Sequence, residues 1–457
     1  MRLLSFFLFL SSLLSAQNEF SIDQISISGN KTTKDFIILR ELPFSKNDKV
    51  NIADTTKLKD LAIQNLKNTN LFNQVSLSFH ENKLDSTVQV KVTLQERWYL
   101  WPNPKFEIIE RNVRTWWRNG RNLDRANYGL FVSHLNFRGR RETLRLKVKL
   151  GYVQTLGFDY DNPFLSKKGK WGLRLSYHYL TRHEIPVTSE NAKWVFYKNE
   201  DLQVRAEHQS FAQVYYRPHF FLQHKWTINH RSVSILDEIQ NNHPYYLNNN
   251  LDQSQYYALK YELRWDKRND KDFPTKGLYL ESSIEKLGLG ITDKTVNHLF
   301  LISEWKQFFQ LKPKLFFAYG ARFALSNQNE IATYVEPVLG RRELPRAYDN
   351  HLIHGQSYGV VRTHFRFQFI NRDDIRVPKI PEKFNHVPIK AFVGIHGDIG
   401  YVDDFMNYRE NGLNNQVLYS AGLSLESVSF YDLVMRLEYS MNHLLESGLF
   451  IHFTAPI

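Results

Sequence analysis

The stretch YYALKYELRWDKRNDKDFPTKGLYLE, from Tyr256 to Glu281, decides the fold class. Its first half alternates apolar and polar residues, which is the pattern of a β-strand with two different faces. Pro274 and Gly277 then interrupt the alternation before it begins again. The stretch therefore predicts two antiparallel strands joined by a shaped turn.

Similar alternating segments recur at intervals of roughly 20 residues from about Trp98 to the C-terminus. Examples are LRLKVKLGY, WGLRLSYHY and YDLVMRLEYS, in which large apolar residues share one face and charged or small polar residues the other. Tilted strands of about 9–11 residues span a bilayer, with lipid on one face and a wet lumen on the other. We therefore expect an all-β transmembrane barrel of about 16 antiparallel strands. A large soluble β-sandwich is the alternative.

The composition of the chain supports a barrel. Aromatic residues make up 14% of the chain, yet the mean hydropathy is only −0.45. The net charge of +12 comes from scattered Lys and Arg, which favours anionic lipid headgroups as partners and argues against nucleic acid. The chain has no Cys, which excludes disulfides and thiolate chemistry and suits an oxidising periplasm.

Residues 1–16 are typical of a secretory signal peptide. Arg2 precedes an apolar run from Leu3 to Leu14, and Ala16 follows at the predicted cleavage site. Beyond this segment, no apolar run reaches the roughly 18 residues that a transmembrane helix needs.

Residues 17–97 predict a small α+β domain with the order β-α-α-β-β. FSIDQISISGN predicts a strand, and TTKDFIILRELPF predicts a short capped helix that starts at Thr32 or Thr33 and contains Phe36, Ile37 and Leu39. ADTTKLKDLAIQNLK predicts a second helix with Asp54 as N-cap. QVSLSFH and STVQVKVTLQE complete a three-stranded sheet. A generic α+β adaptor domain is one interpretation.

The segments LKNTNLFNQVSLSF and VQVKVTLQERW resemble a POTRA domain, the periplasmic module of outer-membrane assembly and translocation proteins. The resemblance implies that clients bind by adding a strand to an exposed sheet edge, which requires only backbone hydrogen bonds. In this chain that edge is Gln74, Val75, Ser76, Leu77, Ser78, Phe79 and His80.

The turn in the opening stretch resembles a motif of the BamA/TamA-type outer-membrane assembly superfamily, also called the bacterial surface antigen family, which includes two-partner-secretion transporters. The matching residues are Asp266, Arg268, Asp270, Pro274 and Gly277. Asn162-Pro163-Phe164 resembles a second turn of the family. The resemblance implies one POTRA domain followed by an outer-membrane barrel, residues 98–457.

A long loop near 327–356 resembles the loop of this family that folds into the barrel lumen. Its tip, Arg346-Ala347-Tyr348, has Ala where the family has Gly. The resemblance implies that Arg346 is held on the inner wall by Asp398, which with Gly400 matches an Asp-x-Gly position. An ordinary surface loop is the alternative.

The strand after this loop departs from the family pattern. The family's Glu-x-Arg reads His364-Phe365-Arg366 here, so one acidic partner is missing. His364 could make the attachment of this loop to the wall sensitive to pH, or it could simply line the pore.

The C-terminus ESGLFIHFTAPI resembles the assembly signal of bacterial barrel proteins, through Gly448, Ile451 and Phe453. We expect this last strand to close the barrel against the first, around Lys105 to Ile109.

No catalytic motif, phosphate loop or metal cluster is evident, so we expect neither an enzyme nor a cofactor nor a metal site. The leading hypothesis is outer-membrane protein insertion or translocation. Its partners would be outer-membrane lipid, unfolded client proteins and possible accessory periplasmic or membrane proteins. The alternatives are a passive or gated pore and a surface-complex scaffold that binds through the loop from Ile235 to Gln253.

Overall fold

The structure is a computed structural model of two compact units. It describes residues 19–108, 126–165, 169–190, 193–244, 246–247, 251–292, 296–327, 334, 338–339, 345–348, 351, 353–372, 375, 378–379, 381, 387–404, 412–429 and 433–454. The predicted signal peptide lies outside these residues. The first unit contains the described residues up to Tyr99, with Leu135–Arg141 and part of Pro378–His386, and the second unit contains the remainder.

The N-terminal unit is a sheet covered by helices. In chain order its elements are β1 (Glu19–Ser28), α1 (Asp35–Leu39), β2 (Lys49–Asn51), a 3₁₀ turn (Ile52–Asp54), α2 (Thr55–Lys67), β3 (Phe72–Asn82) and β4 (Thr87–Glu96). The sheet order is β2-β1-β4-β3, with β1 parallel to β4 and the other pairs antiparallel. The prediction of three strands missed β2, which is too short to show an alternating pattern.

The two predicted helices are present, with corrections at their ends. The N-cap of α1 is Lys34 and not a threonine. The backbone N–H groups of Thr32 and Thr33 instead donate to the buried carboxylate of Glu96, at 2.6–3.0 Å. Asp54 is the N-cap of α2 as predicted, although its side chain makes no capping hydrogen bond.

The core of this unit lies between the helices and the sheet. It is formed by fully buried side chains, among them Ile22, Ile37, Ile38, Leu66 and Val88. On α1, Ile37 and Ile38 are buried, while Leu39 is 39% exposed. A helix of five residues is too short for spacing alone to identify its buried face.

The second unit is built on a sixteen-stranded antiparallel sheet, which confirms the predicted barrel fold. Its strands are β5 (Leu100–Ile108), β6 (Ala126–Phe137), β7 (Glu142–Gly151), β8 (Val153–Asn162), β9 (Trp171–Arg182), β12 (Arg205–His219), β13 (Leu222–Ile235), β14 (Gln253–Asp266), β15 (Gly277–Leu287), β16 (His298–Lys312), β17 (Leu315–Ser326), β20 (Ser357–Arg372), β21 (Ile389–Asp403), β22 (Val417–Val428), β23 (Val434–Asn442) and β24 (Ser447–Thr454). Each strand lies beside the next in this order.

The remaining elements lie in the loops at one end of the sheet. They are the hairpin β10 (Glu184–Glu190) with β11 (Lys193–Lys198), the helix α3 (Asp237–Asn242), and the hairpin β18 (Val338–Leu339) with β19 (Ile353–His354). We call this end the long-loop end. The opposite end has mostly shorter connections, for example between β12 and β13 and between β16 and β17, and we call it the short-turn end.

Outward and inward residues alternate along the strands as predicted. Large apolar side chains are exposed on the outer face, including Leu146, Phe158, Tyr177, Trp226, Leu301, Phe323, Phe365, Ile395, Leu423 and Tyr439. The inner face carries ion pairs between neighbouring strands, such as Lys147 with Asp159 and Arg264 with Glu281. Such a division suits lipid outside and a polar lumen inside. Within the described part of the chain, no helix has the length and apolar character needed to cross a membrane.

The first strand, β5, and the last strand, β24, are the two ends of the described sheet. We call the junction between them the seam. There, β24 pairs with β23 and β5 pairs with β6, while the described residues contain no pair between β5 and β24. The expected first strand includes Lys105, and Ile109 lies outside the described residues. Closure of the last strand on the first stays a prediction.

Candidate functional site

The candidate site is the tip of the loop between β17 and β20, where it meets the inner wall of the barrel. Of the predicted loop 327–356, the structure describes 327, 334, 338–339, 345–348, 351 and 353–356. The segment 345–348 lies against β20 to β23, and we call it the latch.

Arg346 is fastened to the wall by several charge-assisted hydrogen bonds. Its Nε and Nη2 donate to the two carboxylate oxygens of Asp398 at 2.9 and 2.6 Å, and its backbone N–H donates to the same carboxylate at 2.9 Å. Nη1 lies 3.3 Å from Glu438, and Nη2 donates to the carbonyl of Thr363 at 3.1 Å. The Arg346 side chain is 17% exposed and that of Asp398 is fully buried. This bidentate pairing fixes the orientation of the guanidinium as well as its position.

Ala347 occupies the position where the family pattern has Gly. Its φ is +69°, in the left-handed region that favours glycine. Its carbonyl accepts a hydrogen bond of 2.9 Å from the buried amide of Asn442 on β23. The backbone conformation explains the usual glycine, and Ala is the smallest side chain that can replace it.

Tyr348 is fully buried below the tip. Its hydroxyl donates to the carbonyl of Tyr419 at 3.1 Å, accepts from the Tyr419 N–H at 3.2 Å, and contacts the ring nitrogen of His443. Its ring belongs to an apolar cluster with Ala324, Ile353, Tyr358, Val360, Val402, Leu413 and Leu418. The latch therefore combines an ionic anchor at Arg346 with an apolar one at Tyr348.

Gly400 allows the loop to approach the wall. A Cβ atom at this position would lie 2.9 Å from Cγ and 3.3 Å from Cδ of Pro345, the residue before Arg346. Gly397 on the same strand is different, because a Cβ there would meet its nearest atom only at 3.7 Å. The Asp-x-Gly sequence thus places the anion and the space for the loop on the same inner face of β21.

Two acidic residues of the site were missed as partners from the sequence. Glu438 on β23 pairs with Arg346, and it also lies 3.8 Å from Arg436. Glu426 on β22 pairs with Arg436 at 2.6 Å and with Arg366 at 3.0 Å. The acid absent from the Glu-x-Arg position of β20 is therefore supplied from neighbouring strands. The inward position of Glu438 in YDLVMRLEYS was the available signal.

The histidines of the site are buried between strands. His364 is 6% exposed, and its Nε2 lies 2.9 Å from the Ser424 hydroxyl, across Gly394. A Cβ at Gly394 would come within 2.5 Å of that nitrogen. The His396 ring lies across Gly422 in a similar way, because a Cβ at Gly422 would lie 2.6 Å from its Nε2. Arg366 Nε donates to Nδ1 of His364 at 3.2 Å, so this imidazole packs within the ionic network.

The predicted turn motif lies at the short-turn end, between β14 and β15. Arg268 donates from Nε and Nη2 to the carboxylate of Asp266 at 2.8 and 2.7 Å. Asp270 accepts from the backbone N–H groups of Asp272 and Phe273 at 2.8 and 2.9 Å. Gly277 has φ +113°, and a Cβ there would lie 2.2 Å from the carbonyl oxygen of Lys267. Pro274 follows Phe273, which is not part of the predicted motif and whose buried ring packs against Phe316 and Phe392.

The other predicted sites lie on strands at the edge of a sheet. Gln74 to His80 belong to β3, an outer strand of the N-terminal sheet whose pairing partner is β4. Gly448, Ile451 and Phe453 belong to β24, and Ile451 is exposed on its outer face. No group of three metal-ligating side chains occurs among the residues that the structure describes.

Family comparisons match both parts of the chain. The POTRA family model, described as a surface antigen variable number repeat, matches residues 20–97. The Omp85 superfamily domain model matches residues 136–429. No curated protein matches the chain.

Several solved structures share the fold. BamA from Haemophilus ducreyi lacking POTRA domains 1–3 is 16% identical with a TM-score of 0.50, and the match covers 95% of this chain and 83% of that one. CdiB from Escherichia coli is 9% identical with a TM-score of 0.58, covering 95% and 75%. CdiB from Acinetobacter baumannii is 12% identical with a TM-score of 0.52, covering 96% and 73%. At these identities the likeness concerns the fold alone.

Proposed function

Since the chain belongs to the Omp85 superfamily, we propose that it inserts or translocates proteins at the bacterial outer membrane. The barrel spans the outer membrane and the POTRA domain faces the periplasm. The chain performs this role by binding and release, without enzymatic chemistry or a cofactor.

The observation that carries the proposal is the bidentate pair between Arg346 and Asp398. This pair holds the loop at one place on the inner wall, in the path that a client would take through the lumen. Removing one member of a buried ion pair costs about 3–5 kcal/mol, because the remaining charge loses its partner. An anchor of this strength can hold the lumen closed and still be released by a client that offers competing contacts.

Client recognition begins at β3 in this proposal. Gln74 to His80 lie at the edge of the sheet, and an edge strand offers unpaired N–H and C=O groups to an incoming strand. Such pairing is independent of the client's side chains, which suits a factor that handles several clients.

The client then passes through the lumen or through the seam between β5 and β24. The seam is supported by the pairing of the described residues, in which β24 and β5 each have one partner strand. Outer-membrane lipid surrounds the exposed belt, and periplasmic or membrane proteins can serve as accessory partners.

The proposal is tested by reconstituting the full chain in liposomes and measuring insertion or secretion of client proteins. Gly400→Ala should displace the latch through Pro345 without changing any charge, and Arg346→Ala should release it by removing the anchor. Gly397→Ala is the matched control, since its Cβ meets only ordinary contacts. We expect both latch variants to change client transfer and to raise the conductance of planar bilayers, while the control behaves as wild type.

A different outcome would identify a pore. If no client is transferred faster with the protein than without it, and conductance is large and unchanged by Arg346→Ala, the proposed function is wrong. A stable complex with other surface proteins, without transfer activity, would instead identify a scaffold.

A further inference from the structure

The turn between β14 and β15, residues 267–276, enters the barrel from the short-turn end. Phe273 at its centre is only 7% exposed and packs with Phe316, Phe392, Val428 and Val434. Its ring centroid lies 4.8 Å from that of Phe392. We call the four residues that surround Phe273, namely Phe316, Phe392, Val428 and Val434, the aromatic pocket.

The location of the pocket requires the turn to cross the lumen. Phe316 lies on β17, Phe392 on β21, Val428 on β22 and Val434 on β23. In the sheet, β16, β17 and β20 separate β15 from β21. Phe273 reaches this distant wall on its inner face, so the segment spans part of the opening at the short-turn end.

The turn is held rigidly enough to present the ring. Asp270 accepts two backbone hydrogen bonds, one from the N–H of Phe273 itself. The side chain of Asn269 accepts from the N–H groups of Thr275 and Lys276 at 3.1 and 2.9 Å. These local bonds pre-order the loop, so that less conformational entropy is lost when Phe273 binds the wall.

Arg366 joins this turn to the wall and to the latch. Its guanidinium lies 4.8 Å from the Phe273 ring centroid, and Nη1 donates to the carbonyl of Pro274 at 3.4 Å. The same guanidinium pairs with Glu426 at 3.0 Å. From Glu426 the ion pairs continue through Arg436 and Glu438 to the latch arginine.

We propose that residues 267–276 form a plug that covers part of the short-turn mouth of the barrel, held in place by Phe273, and that the ion-pair chain couples this plug to the latch. The coupling follows from shared partners. When Arg346 leaves Glu438, Arg436 moves towards Glu438, Glu426 attracts Arg366 more strongly, and Arg366 loosens its contacts with Phe273 and Pro274. The plug stands on its own contacts and does not depend on the handling of clients.

The test uses the absence of native cysteine in the chain. Val434→Cys places one thiol in the aromatic pocket, where the wild-type side chain is 5% exposed. A charged, water-soluble maleimide is added to the folded full-length chain in detergent, and the labelling rate is measured. We expect slow labelling with the plug seated, and labelling at least about tenfold faster when Phe273→Ala is added, because labelling tracks the open population.

Further variants make the test specific. Asp270→Ala keeps the ring but removes the bonds that shape the turn, and it should also accelerate labelling. Phe211→Ala truncates an aromatic side chain on β12, far from the pocket, and should leave the rate unchanged. Folding of each variant is checked by the mobility shift between unheated and heated samples on a gel.

Two results would overturn the plug. One is rapid labelling of Val434→Cys alone, and the other is an equally slow rate with and without Phe273→Ala and Asp270→Ala. The coupling to the latch is tested separately. Arg346→Ala should accelerate labelling of Val434→Cys, whereas the control Arg145→Ala on β7 should not. An unchanged rate with Arg346→Ala overturns the coupling.

Discussion

Arg346 carries a positive charge into the barrel, and its surroundings show how such a charge is accommodated. A charge removed from bulk water is costly unless ion pairs and hydrogen bonds replace its hydration. Asp398 and Glu438 supply the opposite charges, and the Thr363 carbonyl accepts a further hydrogen bond. The guanidinium is suited to this role because its donors fit a carboxylate in parallel, which an ammonium group cannot reproduce.

A second single residue, Ala347, leads to a testable prediction. A left-handed conformation costs a residue with a Cβ roughly 1–2 kcal/mol, so Ala347→Gly should stabilise the seated latch. We expect this change to reduce, by a few-fold, the extra channel opening that Gly400→Ala causes in planar bilayers. The comparison is the open-time fraction of the single and double variants.

The control for this rescue is Ala324→Gly. Ala324 belongs to the same buried cluster, but it lies in the extended strand β17. Loss of its methyl group should weaken the cluster and rescue nothing. If both glycine substitutions reduce opening equally, the backbone of Ala347 is not the cause.

Strands β21 and β22 carry glycines on their inner face, which allow side chains from other segments to pack closely against them. Gly394, Gly400 and Gly422 leave room for His364, Pro345 and His396 respectively. Asp398 on β21 projects from the same inner face, and Glu438 joins it from β23, the strand next to β22. Small residues and anions at alternating positions thus turn an ordinary pair of strands into a docking surface.

Strand β3 carries the prediction at the scale of an element. With a mild oxidant added, the thiol of Ser76→Cys should form a disulfide with an unfolded client that carries one cysteine, because strand addition aligns the client with this edge. Lys91→Cys is the matched control, since β4 lies inside the sheet between β1 and β3. The yield of mixed disulfide is measured on non-reducing gels.

Equal yields at positions 76 and 91 would indicate random collision and contradict strand addition at β3. A yield at position 76 that a short extended peptide competes away would support it. The native chain adds no background, because it contains no cysteine.

The outer face of the barrel carries a belt of exposed apolar side chains, which we propose lies in lipid. Ile395 is 56% exposed near the middle of β21, and Tyr401 is 43% exposed near its end. A charge costs about 2–4 kcal/mol on the lipid face at the bilayer midplane and about 0–1 kcal/mol near the interface. We therefore expect Ile395→Arg to lower the free energy of unfolding in liposomes much more than Tyr401→Arg does.

This comparison is made by denaturant titration with tryptophan fluorescence. The two positions share a strand and a face, so their difference reports depth in the membrane. Equal losses of stability would contradict the assignment of this face to the lipid.

Much of the barrel was predictable because a strand's two faces follow from a pattern of neighbouring residues. Alternation in the segments from residue 144 onwards predicted the strands and their outward faces, and the sixteen-stranded sheet confirms them. The three-residue strand β2 and the cap of α1 were not predictable in this way. One is too short to show a period, and the other depends on Glu96, which is distant in sequence.

The sequence by itself determined that this chain forms a POTRA domain and a barrel with an apolar exterior and a charged interior. Only the tertiary structure decided which charges meet. Arg346 and Glu438 are 92 residues apart, and Phe273 packs against Phe392, Val428 and Val434, which follow it at even greater distance. Alternation predicts which face a side chain occupies, but the curvature of the sheet and the register of its strands decide which side chains meet across the lumen.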